Sequence, residues 1–209
     1  MKRALLMRFE TLRAKVGLDA QCFDLLDRYY GCATRHYHGW RHIAECLEQF
    51  DRVADLVRDP LAVELALWFH DAVYVVGSNR NEIESAELAY RSISPFDAEL
   101  ADKVRRFIEA TDYSRAPDCA DPDLDYLVDI DLSAFGKSFD DFWSDVQRLR
   151  LENGEGNEPA ASLPRLTFYR QIRDGKVGLF RTEFFSDQLL NKALLNVRRA
   201  IELLEHGNE

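Results

Sequence analysis

The chain has 209 residues, 46% apolar and 31% charged, an ordinary globular composition that can bury a core in one domain. Its 27 basic and 37 acidic residues give a formal charge of −10, and no run of five or more Lys or Arg interrupts that field, so duplex nucleic acid is excluded as an expected partner; a small phosphorylated substrate beside a cation is not. No stretch of 18 apolar residues occurs, so no membrane span is expected.

Apolar residues recur mostly every three to four positions, and six prolines and ten glycines are few, which predicts an all-α fold in a single domain. Leu5, Leu6, Phe9, Leu12 and Val16 form a first helical stripe, and Phe23, Leu25, Leu26, Tyr29 and Tyr30 a second that Gly31 ends. The third helix is expected over about 40–57, with Ile43, Cys46, Leu47, Phe50 and Val53 on one face. Asp59-Pro60 opens the fourth in the order of cap then proline. Val63, Leu65, Ala66, Leu67 and Phe69 make it apolar nearly all round, the mark of a central helix. A loop over 76–80 precedes a fifth helix over 81–92, and Pro95 begins a sixth that runs to about Thr111. A polar, turn-rich stretch over 114–122 leads to an apolar helix over 124–132 that carries Asp129 and Asp131. A further helix spans 139–151, an acidic surface loop 152–159, and the last helix about 182–204, with a face wide enough to dock on the body or on a second subunit.

The four cysteines, at 22, 32, 46 and 119, contain no Cys-x-x-Cys, which argues against a thiolate zinc site. The sequence after Met1 breaks into charge at once, so no secretory leader is expected; reduced cysteines in a cytoplasmic protein follow.

Chemistry concentrates in three places. His38 and His42 are four apart and share a face if both are helical, a pattern that a merely polar helix face also produces. His70-Asp71 closes the most apolar helix, where a buried carboxylate is costly without a cation or strong hydrogen bonds. Asp129 and Asp131 lie in another apolar segment, and residue type alone does not choose between them as ligand, second-sphere partner or solvated acid. Imidazole and carboxylate donors from separate segments can converge on one divalent cation.

Four blocks in order carry a resemblance: Arg35-His36-Tyr37-His38-Gly39-Trp40-Arg41-His42-Ile43, Phe69-His70-Asp71-Ala72-Val73-Tyr74, Asn81-Glu82-Ile83-Glu84-Ser85-Ala86, and Asp129-Ile130-Asp131-Leu132-Ser133-Ala134-Phe135-Gly136. Their succession resembles the HD-domain superfamily of metal-dependent phosphohydrolases, in particular a bacterial branch, over about 29–204. The resemblance implies an HD-type helical bundle with its metal-site region at about 29–136 and C-terminal helices over 137–209 packed on it. It implies His42, His70, Asp71 and Asp131 as metal ligands, with Asp131 chosen over Asp129 as the second acid of the Asp-x-Asp. It also implies His38 as the acid that protonates a leaving group, and Asp71 or Glu82 as the group that orients water or accepts its proton. No histidine lies between His70 and His206, where dinuclear members carry extra ones, and Asp112-Tyr113-Ser114 stands where related sequences tend to place another. One divalent ion (Mn, Fe, Co, Ni, Zn or Mg) is therefore expected. Arg35, Arg41 and Arg80 flank the motifs and could clamp phosphate or be solvated surface residues.

The expected activity is hydrolysis of a small, nucleotide-like phosphate ester. The alternative is a weakly catalytic or non-catalytic metal- and nucleotide-binding module, a sensor or scaffold that could be a homodimer.

Overall fold

The computed structural model describes residues 1–113, 121–155 and 163–206. The described residues hold ten α-helices, one 3-10 turn and no strand. The helices are α1 (Lys2–Val16), α2 (Cys22–Tyr30), α3 (Trp40–Val53), α4 (Pro60–Phe69), α5 (Asn81–Ile93), α6 (Ala98–Glu109), α7 (Pro122–Leu132), α8 (Phe139–Glu152), α9 (Leu163–Arg173) and α10 (Glu183–His206), with the 3-10 turn at Ser133–Gly136. The chain forms two compact units, Met1–Leu127 and Val128–Glu209, divided within α7. No helix among the described residues is long and apolar enough to cross a membrane.

In the first unit α4 packs against α3, α5 and α6. Its sequence requires this: Ala62, Val63 and every residue from Leu65 to Phe69 are fully buried, so no face is left for water. The Asp59 side chain accepts from the Ala62 amide at 3.0 Å, capping a helix whose first residue is Pro60. Asp123, at the start of α7 and buried, accepts from the amides of Arg58 and Asp59 at 2.7 and 2.8 Å. Lys103 of α6 completes the corner with a 3.0 Å contact to Asp59. At the other end, Tyr30 donates its hydroxyl to the Trp68 carbonyl at 3.0 Å. Trp68 lies edge-on to Phe9, Phe23 and Trp40, with ring centroids 5.0–6.5 Å apart. Truncating such a ring to alanine costs about 3–5 kcal/mol. The last residues of α4 are thus anchored on both sides just before His70.

The second unit is built around α10, which packs on α8, α9 and the 3-10 turn. Phe142, Val146, Leu166, Tyr169, Ile172, Ala193, Val197 and Ile201 supply its core. A Cβ added at Gly136 would lie 2.7 Å from the Leu189 Cβ, so only glycine lets the turn approach α10 this closely. Asn196 of α10 donates to the carbonyls of Phe135 and Lys137 at 2.8 and 3.0 Å, fixing the same turn. Arg165 of α9 makes a buried two-pronged pair with Glu155 at 2.6 and 2.7 Å.

Three element boundaries differ from expectation. The third helix stops at Val53 rather than near 57, because the chain turns there to present Arg58 and Asp59 to Asp123. The sixth begins at Ala98, capped by Asp97, rather than at Pro95. The helix α9 was not anticipated, although Leu166, Tyr169 and Ile172 repeat every three residues behind Pro164 and face the core. The expected polar stretch over 114–122 and loop over 152–159 lie largely outside the described residues.

Candidate metal centre

His42 enters the interior from the first turn of α3. The chain reaches that turn through Gly39, where a Cβ would meet the carbonyl oxygens of Tyr30 and Arg35 at 3.1 and 3.3 Å. His70 caps the C-terminus of α4 and Asp71 follows it. Both imidazoles are almost completely buried, at 4% and 2% exposure, whereas the Asp71 side chain keeps 21%.

The three side chains meet at three atoms. His42 Nε2 and His70 Nε2 are 3.2 Å apart, and Asp71 Oδ2 lies 3.2 Å from the first and 3.1 Å from the second. Ligands about 2.1 Å from a shared cation are separated by about 3.0 Å at a right angle and about 3.4 Å at the tetrahedral angle. All three edges fall in that interval. The protonation pattern agrees. His70 Nδ1 lies 3.0 Å from the Leu67 carbonyl, which has no proton to give, so Nδ1 is the donor and Nε2 is the atom turned to Asp71 and His42. Asp71 adds only lone pairs, and His42 can place at most one proton on Nε2. The edges of the triangle are those of three ligands on one cation, so the arrangement could hold a metal ion. Two nitrogens and a carboxylate oxygen in a buried setting fit a divalent d-block ion.

Burial opposes the charge of Asp71, but His70 and His38 nearby and hydrogen bonds with His42 and His70 hold its carboxyl well below the usual carboxylate range. Glu82, in the first turn of α5, behaves in the opposite way. Burial first, then the charges of Asp112 and Asp71, raise its carboxyl above the ordinary glutamate value.

His38 departs from the expected geometry. It sits in the turn before α3, whose N-cap is Gly39, and not one helical turn below His42 on the same helix. It still comes close by another route: its ring stacks on Tyr74 at 4.1 Å and lies edge-on to His42 at 6.1 Å. Tyr37 lies 5.2 Å from the His42 ring.

The arginines separate. The Arg35 guanidinium donates to the carbonyls of His38 and Asp71 at 2.9 Å each and of Ala72 at 2.7 Å, and lies over the Tyr74 ring. It ties the His38 turn to the His70-Asp71 segment. Arg41 and Arg80 form surface pairs with Glu45 and Glu84 at 2.8 and 3.4 Å.

The segment after the dyad is held from α5. Ser85 Oγ accepts from the Val73 amide at 3.0 Å and lies 3.2 Å from the Val73 carbonyl. Asn81 bonds both the amide and the carbonyl of Val75, at 2.8 and 3.2 Å. This accounts for the Asn81-to-Ser85 block: those polar side chains stand in for the hydrogen bonds a loop cannot make with itself.

The two acids of α7 have different placements. Asp129, fully buried in the second unit, accepts from the amides of Arg181 and Thr182 at 2.8 Å each and from the Thr182 hydroxyl at 2.6 Å, fixing the entry to α10. Asp131, half-buried, belongs to the same unit, at the end of α7.

Cys46 was read from sequence as a core residue of α3. Its sulfur lies 3.6 Å from His42 Nε2 and 3.8 Å from Nδ1, and within 4.8 Å of the donor nitrogens of both His42 and His70. The signal was present, since a cysteine four residues after a histidine on a helix shares its face. The groups His42, Cys46 and His70 could together hold a metal ion.

No protein-family model matches this chain, and no curated protein or solved structure is significantly similar to it.

Proposed function

We propose that the chain is a metal-dependent phosphohydrolase of the HD type acting on a small, nucleotide-like phosphate ester. The observation that carries this reading is the triangle of two Nε2 atoms and one carboxylate oxygen, with edges of 3.1–3.2 Å. In this reading His42, His70 and Asp71 hold one divalent ion, and Asp131 supplies a further carboxylate. The neighbouring Asp129 supports that choice, because three donors from Arg181 and Thr182 already engage its oxygens. Such an ion acts as a Lewis acid toward water and toward the phosphoryl group.

The protein groups have separate tasks. His38, stacked on Tyr74 and 6.1 Å from the His42 ring, is the group proposed to give a proton to a departing oxygen. Burial raises the Glu82 carboxyl above the ordinary glutamate value, and in this reading Glu82 orients water or accepts its proton. Arg35 orients both segments from behind.

The test is a screen of mono- and diester substrates, including nucleotides, with Mn²⁺, Mg²⁺, Co²⁺ and Ni²⁺, beside His70→Ala. Metal-dependent turnover that vanishes in the variant is expected. Tight metal binding without turnover on any ester would favour the second reading, a metal- and nucleotide-binding module. One observation speaks for that alternative: each of the three arginines near the motifs is engaged within the protein, Arg35 by carbonyls and Arg41 and Arg80 by glutamates.

A further inference from the structure

We propose that Cys46 is itself a ligand of this metal centre, and that its sulfur makes the site select thiophilic ions such as Zn(II), Co(II) or Fe(II) over Mg(II) and Mn(II). The inference rests on the metal-centre reading above and deepens it.

Cys46 stands one turn after His42 on α3, in a helix face whose other members, Ile43, Leu47, Phe50 and Val53, are buried and apolar. It is 2% exposed. Among the described residues, its thiol has polar partners in the two ring nitrogens of His42 and in no other group. The sulfur therefore sits on the site side of an otherwise apolar stripe. Its 3.6 Å separation from His42 Nε2 matches the edge of about 3.6 Å expected between a nitrogen at about 2.05 Å and a sulfur at about 2.3 Å on a tetrahedral ion. At the same time the 3.8 Å contact to Nδ1 shows that the thiol rests against the imidazole ring. Ligation requires a turn about the Cα–Cβ bond of Cys46 toward the Nε2 edge. On ligation the S–H bond breaks heterolytically, sulfur donates its electron pair to the cation, and the proton passes to buffer.

A thiolate changes which ions the site prefers. Imidazole and carboxylate alone accept Mn and Mg as well as Zn, whereas a sulfur donor biases the set toward softer ions. The pattern hides from a search for paired cysteines because a single thiol here joins histidines of two different helices.

The experiment loads the metal-free full-length protein with Co(II) and records its near-ultraviolet and visible spectrum, for wild type, Cys46→Ser, Cys46→Ala and His70→Ala. A sulfur-to-cobalt charge-transfer band in the wild type, absent from both Cys46 variants, is the expected result. Competition between Zn(II) and Mn(II) should then show the Zn preference falling at least about tenfold in Cys46→Ser. A wild-type complex without the band overturns the proposal, whatever the variants do, and so does a band that survives in both Cys46 variants. If His70→Ala binds Co(II) as tightly as the wild type, the metal-centre reading itself fails, an outcome distinct from loss of the sulfur band alone.

Discussion

Removing the Arg35 guanidinium tests whether this residue holds the site together or grips a phosphate. Its two terminal nitrogens make three bonds of 2.7–2.9 Å, to the carbonyls of His38, Asp71 and Ala72. A hydrogen bond from a charged donor is worth about 1.5–3 kcal/mol, but Arg35 is half-buried and water can re-enter to serve some of the freed carbonyls. A total near 3 kcal/mol is the expected cost of Arg35→Ala, or about 6–12 °C in Tm for a chain of this length. Arg35→Lys keeps the charge but cannot span three carbonyls from one fork, so about half of that loss is expected. Because the same bonds set the Asp71 backbone, metal affinity should fall about 10–100-fold in Arg35→Ala, as for other residues that orient ligands. Urea unfolding of the metal-free protein gives the first quantity, and metal titration the second. If Arg35→Ala is as stable as wild type to within about 0.5 kcal/mol and binds metal normally, yet raises KM, the residue is a phosphate clamp and the positioning argument is wrong.

Three further outcomes follow from the same geometry. Asp129→Asn should destabilise the protein by about 2–3 kcal/mol while leaving bound metal in place, and Asp131→Asn should do the reverse; metal analysis of both variants that found the opposite pattern would assign the ligand to Asp129. His38→Ala should retain fold and metal and lose about 10²–10⁴-fold in turnover on esters with poor leaving groups, with little change on p-nitrophenyl phosphate; equal losses on both would point to a binding role. Glu82 has a folded-state pKa above its unfolded value, so its ionisation costs stability as pH rises from about 4.3 through the raised value, and the cost persists above it. Glu82→Gln should therefore melt higher than wild type at pH 8 without metal and match it near pH 3.5, and equal melting temperatures at pH 8 would refute the assigned cause.

The helices were legible because each has a local cause. Asp59-Pro60 writes the start of α4 in two residues, and the run from Leu65 to Phe69 writes its burial. By contrast, α9 carries Arg165, Arg170 and Arg173 among its apolar positions, which dilutes the periodicity, and its Arg165 is buried against Glu155, which lies before the helix. Likewise, the four-residue spacing of His38 and His42 suggests a shared helical face. The backbone instead turns at Gly39, and the approach of Gly39 to the Tyr30 and Arg35 carbonyls that requires the turn is a tertiary fact.

The division between what was and was not legible in the site follows the kind of bond each residue makes. His42, His70 and Asp71 are unusual as residue types in or just after apolar helices, so the cost of burying them singles them out in the sequence. The contacts of Arg35 and Cys46 are harder to read from sequence, for opposite reasons. An arginine beside a metal motif suggests an anion, yet its partners are main-chain carbonyls, which every sequence possesses and none advertises. A cysteine among Ile43, Leu47 and Phe50 suggests core, because a thiol packs like a small apolar side chain and differs only in what stands opposite it. What stands opposite Cys46 is the ring of His42, brought there by the same helical turn that places the two residues four apart. The four-residue spacing that relates His38 to His42 relates His42 to Cys46 as well. Of the two pairs, the one that lies within α3 is His42 and Cys46.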